Sequence, residues 1–333
     1  MSEKVFVIGS NSFTGASFVD YLLGKGCEVF GCSRSAEPSP AFLPYKWRQP
    51  GRSGGKFQFA QLDLNHDADR IIEAVREFKA PYVVNFAAQS MVAESWLYPD
   101  QWYTTNVVAN VRLHEKLRQV DFLKKYVHVS TPEVYGSCSG NVTEAAPFNP
   151  STPYAASRAA CDLHLMTFFK NYKFPVVFTR AANVYGPGQQ LYRIVPRTVF
   201  FIRTGRKLQL HGGGRSTRSF IHARDVADGT WRVAREATPG EVYHLSTDLY
   251  VSIRELVERI CARMGADFNR VVEVVGDRPG KDAAYLLDSA KIRKTLGWKD
   301  AVTLDQGIDE TIEWADAHFE ELKKQPTDYL HKA

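Results

Sequence analysis

The 333-residue chain is poor in the features that commit a protein to disulfide, metal or membrane chemistry. Its five cysteines, Cys27, Cys32, Cys138, Cys161 and Cys261, are odd in number and scattered, with no CxxC pair and no Cys/His cluster at ligand spacing. This excludes a disulfide scaffold or zinc-ribbon site and predicts reduced, mostly buried thiols and no bound metal. No apolar run approaches a membrane span, and Met1–Val5 lead into apolar sequence without a charged n-region or cleavage site. A cytoplasmic protein with no membrane partner is therefore expected. Unbroken basic tracts are also missing: the net charge of +5 is spread among interleaved acids and bases, so no nucleic-acid partner is expected. There are no internal repeats, and only Ser35–Pro44, rich in Ser and Pro, is expected to be a loose loop.

What is present is an ordinary globular composition, 44% apolar and 24% charged, with alternating strand and helix signals. Lys4–Ile8 is a β-prone apolar run ending at Gly9, and Ala16–Lys25 has helical apolar spacing closed by Gly26. Strands follow at 27–32, 57–62, 82–86, 125–130 and 176–181, with helices at 71–78, 102–119 and 153–172. This rhythm predicts right-handed βαβ units: an α/β fold with a doubly wound parallel sheet. Past Asn183 the rhythm changes. A helix at 196–205, a strand at 207–211 and a helix at 252–264, opened by Ser252 with Glu255 at capping-box spacing, predict a smaller C-terminal α/β lobe. The expected division is 1–182 plus about 217–250 for the sheet domain, and 183–216 plus 251–333 for the lobe.

Gly9-Ser10-Asn11-Ser12-Phe13-Thr14-Gly15 stands at the first βα junction. Glycine is needed where backbone must turn sharply against a pyrophosphate held by helix N-terminal amides, so this turn marks a dinucleotide site. Asp63-Leu64, at the end of the third strand, places a carboxylate where it accepts from an adenine amino group. Phe86-Ala87-Ala88-Gln89, after the fourth, offers small residues to lie beneath the dinucleotide. The second strand ends in Ser33-Arg34-Ser35 rather than an acid, which favours NADP over NAD because an arginine suits a 2′-phosphate.

Tyr154 and Arg158 lie four residues apart on a helix and so share a face. A phenol is a poor base at neutral pH unless a fixed cation stabilises its phenolate, and Arg158 supplies that charge. Thr131 and Glu133 follow the strand ending at Ser130, at the sheet's carboxyl edge where such folds bind ligands.

With these motifs in order, the chain resembles the extended short-chain dehydrogenase/reductases acting on nucleotide sugars, whose fold is of the Rossmann type. The resemblance adds Asn85-Phe86-Ala87-Ala88-Gln89-Ser90, Arg180-Ala-Ala-Asn183-Val-Tyr-Gly-Pro187 and Arg218-Ser-Phe-Ile-His-Ala-Arg-Asp225. The stretch Asp277-Arg278-Pro279-Gly280-Lys281-Asp282, with Tyr285 and Leu296-Gly297-Trp298, is similar to the dTDP-glucose 4,6-dehydratase branch. It implies a redox-neutral sequence: Tyr154 deprotonates a C4 hydroxyl held by Thr131, Glu133 removes the C5 proton, and water leaves C6. It also implies that Asn106 and Ser130 join the cofactor set. Gln89, Ser90, Asn183, Arg180, Arg218 and Arg278 would face the nucleotide-diphosphate sugar, with Arg193 and Arg197 either joining them or standing as surface charges, and the chain would form a homodimer through a four-helix bundle. Val108, Val111, Leu165, Phe168 and Phe169 are the apolar candidates for that interface.

Ser12 stands at the usual middle glycine of the dinucleotide turn. Three further departures concern the catalytic region: Met91 stands where some relatives have His, Arg158 at the usual lysine, and Pro132 where the dTDP-glucose enzymes place an aspartic general acid. Proline protonates nothing, so Glu133 must act as both base and acid, as the Thr-Ser-Glu pattern of GDP-mannose 4,6-dehydratase suggests, or elimination is lost. The alternatives are a UDP-glucuronate decarboxylase, a sugar 4-dehydrogenase or epimerase, and, more remotely, a non-catalytic dinucleotide-binding regulator.

Overall fold

Seven short strands run in one direction through the centre of the molecule. In the computed structural model, which describes residues 2–47, 54–138, 140–276 and 286–332, they are β1 (Lys4–Ile8), β2 (Glu28–Ser33), β3 (Lys56–Gln61), β4 (Tyr82–Asn85), β5 (Lys125–Val129), β6 (Val176–Ala181) and β7 (Val242–Leu245). Their order is β7-β6-β5-β4-β1-β2-β3, every pair parallel. The expected doubly wound sheet is therefore present. Successive residues Val5, Phe6 and Val7 are all fully buried, as both faces of a parallel sheet must be when helices cover them.

The covering helices include α1 (Phe13–Gly24), α2 (Ala68–Phe78), α3 (Asn110–Leu117), α4 (Pro153–Tyr172) and α5 (Ala223–Glu236). One apolar cluster joins α1 and α5 to one face of the sheet, and a second joins α2, α3 and α4 to the other. The order in which strands are added reverses between β1 and β4, and Gly9 and Phe86 emerge side by side there: Phe86 N–H donates to the Ile8 carbonyl at 2.8 Å. Such a switch point opens a crevice at the carboxyl ends of the strands.

A third apolar cluster gathers Tyr185, Leu191, Val199 and Phe220 with Leu256, Ile260, Ile308 and Trp314. The helix Ile253–Arg263 opens with the expected capping box: Ser252 Oγ accepts from Glu255 N–H, and Glu255 accepts from Ser252 N–H. Ile292, Leu296 and Trp298, late in the chain, return to the core beneath the sheet.

Two local expectations are corrected. Ser35–Pro44 is not a loose loop: Ala41, Phe42 and Leu43 are buried, and Trp314 donates to the Ala41 carbonyl at 2.8 Å. Its prolines start short 3₁₀ turns at Pro40 and Pro44. The single helix expected over 102–119 is divided by a π-helical turn, Thr104–Ala109, before α3 begins.

Candidate active site

The crevice holds a cavity of about 530 Å³. Gly9, Asn11, Ser12, Ser33, Arg34, Asp63, Leu64 and Phe86–Gln89 line it, so most of the cofactor residues read from the sequence come together here. Gly9 has φ +81°, and a Cβ there would sit 2.7 Å from Ala87 N, so only glycine fits. Ser12 replaces the middle glycine with a use of its own: its hydroxyl donates to the Gly9 carbonyl at 2.7 Å and accepts from Gly15 N–H at 3.1 Å, capping α1. Ser33 Oγ accepts from Asn11 N–H at 2.9 Å, joining the end of β2 to the turn. Ser10, Phe13, Thr14 and Gly15 belong to the turn and first helical residues without lining the cavity.

The lining fits a dinucleotide. Asn11 Oδ1, an acceptor at the cavity wall, is buried with no hydrogen-bond partner among the described residues, and so are the Nε and Nη1 donors of Arg158 on the Tyr154 helix, an arrangement that costs free energy unless a ligand completes it. The π-helical turn contributes as well, as such turns do at functional sites. It carries Asn106, which accepts from Gln89 N–H and donates to the Gln89 carbonyl, both at 2.9 Å, and donates to Ser157 Oγ at 3.0 Å. Asn106 thus clamps Gln89 to the Tyr154 helix and acts on the cleft through Gln89.

Thr131, Pro132, Glu133, Tyr154 and Arg158 meet at the ends of β5 and α4. Thr131 caps a 3₁₀ turn, Pro132–Tyr135, its Oγ1 accepting from Glu133 N–H at 3.3 Å. Pro132 occupies the first position of that turn, where a missing N–H costs nothing. Tyr154 is buried and its hydroxyl is hydrogen-bonded with Thr131. Burial above all, then the Glu133 charge, raises the phenol's pKa; Arg158, the Thr131 hydrogen bond and Arg193 pull it down.

Arg158 is 2% exposed. Its Nη2 donates to His128 Nε2 at 3.1 Å and to the Val129 carbonyl. Burial, reinforced by the Arg158 charge, keeps His128 well below the ordinary histidine pKa and therefore neutral. Asp162, one turn beyond Arg158 on α4, accepts from Ser130 Oγ at 2.7 Å and from Arg180 Nη2 at 2.8 Å. Asp162 thus pairs with Arg180, while the buried Arg158, with no carboxylate among the described residues hydrogen-bonded to it, leaves positive charge beside the Tyr154 phenol, whose pKa it lowers.

Sequence reasoning missed Asp162, although the spacing Tyr154, Arg158, Asp162 puts all three on one helix face. It also misplaced Arg180. Expected at the diphosphate or sugar, Arg180 is 2% exposed, paired with Asp162, bonded to Tyr135 and flanked by the Tyr135 and Phe148 rings. It supports the Glu133 turn from behind.

Of the other substrate candidates, Ser90 and Arg193 are exposed, and Asn183 is half-buried where its short strand meets Phe220. Arg218 donates to the Thr217 carbonyl, and Arg197 pairs with Asp328 at 2.6 Å. Arg278 and the motif 277–282 lie outside the described residues. Leu165, an interface candidate, is fully buried core.

His114, His128 and Cys161 bring ligand atoms within 4.8 Å of one another. His128 Nε2 already accepts from Arg158, and His114 Nε2 meets Tyr126 OH at 2.9 Å. With a guanidinium against the cluster, a metal cation is disfavoured there. A larger hollow of about 710 Å³ includes Trp47, His222 and Glu310 but none of the turn, Thr131, Glu133 or Tyr154. Among the described residues no helix is long and apolar enough to cross a membrane.

The sequence profile of GDP-mannose 4,6 dehydratase matches residues 6–311. The chain belongs to that family. It is 30% identical over 331 residues to a probable dTDP-glucose 4,6-dehydratase of Sinorhizobium fredii, covering 93% of this chain and 92% of the relative. It is 34% identical over 275 residues to the human dTDP-D-glucose 4,6-dehydratase, covering 80% and 77%. The structure of the dTDP-glucose 4,6-dehydratase DesIV from Streptomyces venezuelae, with NAD and TYD bound, superimposes with a TM-score of 0.86 at 31% identity, covering 96% of this chain and 98% of that one. A UDP-glucose 4-epimerase from Thermotoga maritima reaches 0.85 at 24% identity, a likeness of fold alone.

Proposed function

We infer that the chain is a nucleotide-sugar 4,6-dehydratase that converts an NDP-hexose to its 4-keto-6-deoxy form. The observation that carries this reading is Thr131, whose side chain bonds both the Tyr154 phenol and the first amide of the Glu133 turn, so that a base for an alcohol and a base for an adjacent carbon acid face one point. Gly9–Gly15, Asp63, Ala87–Gln89 and Arg158 hold a nicotinamide dinucleotide, which supplies the hydride acceptor and donor when bound. Tyr154 takes the proton of the C4 hydroxyl, with Thr131 fixing that hydroxyl. The C4 ketone acidifies C5–H, and Glu133 removes that proton. With Pro132 unable to donate, Glu133 then protonates the departing C6 hydroxyl, and water leaves. With hydride supplied to C6 by the bound dinucleotide, the proton that Tyr154 took from the C4 hydroxyl ends on C5, which restores both bases with no net oxidation.

Three finer readings accompany it. Arg34, following a β2 that ends in Ser33 and not in an acid, favours NADP; titration with both dinucleotides tests this, and tighter NAD binding rejects it. Residues 183–216 with most of 251–333 form the sugar-nucleotide lobe. Tyr103, Val108 and Leu163, 41%, 43% and 58% exposed, mark the helical face that pairs with a second copy, which gel filtration at monomer mass would exclude.

Incubation with dTDP-glucose, UDP-glucose and GDP-mannose followed by mass spectrometry tests the activity. Loss of one water supports the dehydratase. Loss of two hydrogens identifies a 4-dehydrogenase in which Pro132 has abolished elimination, and no change across the panel rejects both.

A further inference from the structure

The cavity has a wall that neither the turn nor the catalytic strands supply. Gln325, Pro326, Asp328, Tyr329, Leu330 and Lys332 line it opposite Gly9, Asp63 and Ala87. Residues 325–332 leave the lobe after the short helix Phe319–Leu322 and cross to the sheet domain. On the lobe side, Asp328 pairs with Arg197 at 2.6 Å, Arg206 Nη1 donates to Thr327 Oγ1 at 3.3 Å, and the Tyr329 ring meets Tyr192 edge-on at 5.4 Å. On the sheet side, the Lys332 carbonyl accepts from Gln89 Nε2 at 2.8 Å and from Arg34 Nη2 at 3.2 Å. The His331 ring lies parallel to Tyr98 and Trp102, at 4.9 and 5.4 Å, and its Nε2 meets Gln101 Oε1 at 2.6 Å.

We propose that residues 325–332 are a retaining strap across the dinucleotide cleft, anchored at Asp328 on one bank and at His331–Lys332 on the other, which sets how fast the dinucleotide leaves. The space beneath, about 530 Å³, falls in the range of small-molecule sites, so the strap is a wall and not a plug. Its anchors are few and separable. The Arg197–Asp328 pair is solvent-accessible, with Asp328 76% exposed, and contributes little by itself. The far end depends on one carbonyl, one stacked ring and that ring's hydrogen bond to Gln101. Such a segment opens locally without unfolding its neighbours.

The inference deepens the proposed reaction: a hydride taken from C4 must return to C6 of the same sugar, so the reduced dinucleotide must not escape between the two transfers. A strap that shares Gln89 with the cofactor cleft, and Gln89 with Asn106 and the Tyr154 helix, links retention to the catalytic helix.

The test follows release of NADH and NADPH by their fluorescence after mixing loaded protein with excess oxidised dinucleotide. The full chain is compared with a chain ending at Lys324 and with the double variant Asp328→Ala/His331→Ala. Release faster by about tenfold or more in both is expected, the size appropriate to losing two hydrogen bonds and a ring stack. If the truncated chain does not fold, the double variant carries the test. Unchanged release overturns the strap, and so does tighter binding with unchanged release, which would identify the segment as a competitor for the cleft. No sugar is present, so failure to dehydrate any nucleotide sugar would sink the proposed function while leaving this measurement intact.

Discussion

Arg158 donates to the Nε2 of His128 at 3.1 Å, a contact between a buried cation and an imidazole that burial keeps neutral. Because Nε2 accepts, the ring proton sits on Nδ1, which faces Tyr126 OH at 3.5 Å. An arginine in place of the family's lysine thus has a dedicated acceptor. His128→Phe removes that acceptor beneath a charged donor and should destabilise the protein by about 1.5–3 kcal/mol, whereas His128→Gln, which keeps an acceptor, should recover most of it. Urea unfolding measures both; a His128→Phe protein as stable as wild type would contradict the assignment.

Tyr154→Phe deletes the proton-transfer oxygen while leaving the ring packed in its buried site. Turnover should fall by about 10²–10⁴-fold, the usual contribution of a positioned proton-transfer group. Dinucleotide affinity should change little, since the turn at Gly9 and the Ala87–Gln89 segment are untouched. Equal losses of binding and turnover would make Tyr154 a packing residue.

Glu133→Gln should permit C4 oxidation and block C5 deprotonation, so that reduced dinucleotide accumulates towards one equivalent per site. The same variant reports on Tyr154. The Glu133 charge raises the phenol's pKa, so its removal lowers that pKa and moves the rising limb of the oxidation step to lower pH. Stopped-flow absorbance across pH reads both effects. Dehydration at the wild-type rate, or a limb displaced to higher pH, would refute the role.

Much of this site was legible because its parts are local. Gly9–Gly15, Thr131–Glu133 and Tyr154–Arg158 each span a single turn or helix face, and a βα rhythm delivers them to one edge. The use of Ser12 was hidden because a serine at a glycine position reads as a defect until its hydroxyl is seen capping α1. Arg180 was misassigned because sequence does not tell a guanidinium aimed at phosphate from one aimed inward at Asp162. Asp162 and the strap at 325–332 depend on contacts across distant segments, such as Gln89 with Lys332, 243 residues apart, which no short motif encodes.

Acid should destabilise the protein well before its carboxylates titrate. Burial holds His244 neutral with a pKa lowered to about 3, and lowers His114, His128 and His222 as well. In the unfolded chain each returns to about 6.5, so below that pH the unfolded state binds more protons and stability falls as pH falls. His244, which meets Tyr135 OH at 2.8 Å and the Asp288 carbonyl at 3.2 Å, should alone account for about 2 kcal/mol between pH 7 and pH 5. His244→Gln should flatten that part of the profile. Denaturant midpoints at half-unit pH steps test this directly: a midpoint constant from pH 7 to 5, or an undiminished slope in His244→Gln, would mean that His244 is charged or solvated in the folded state.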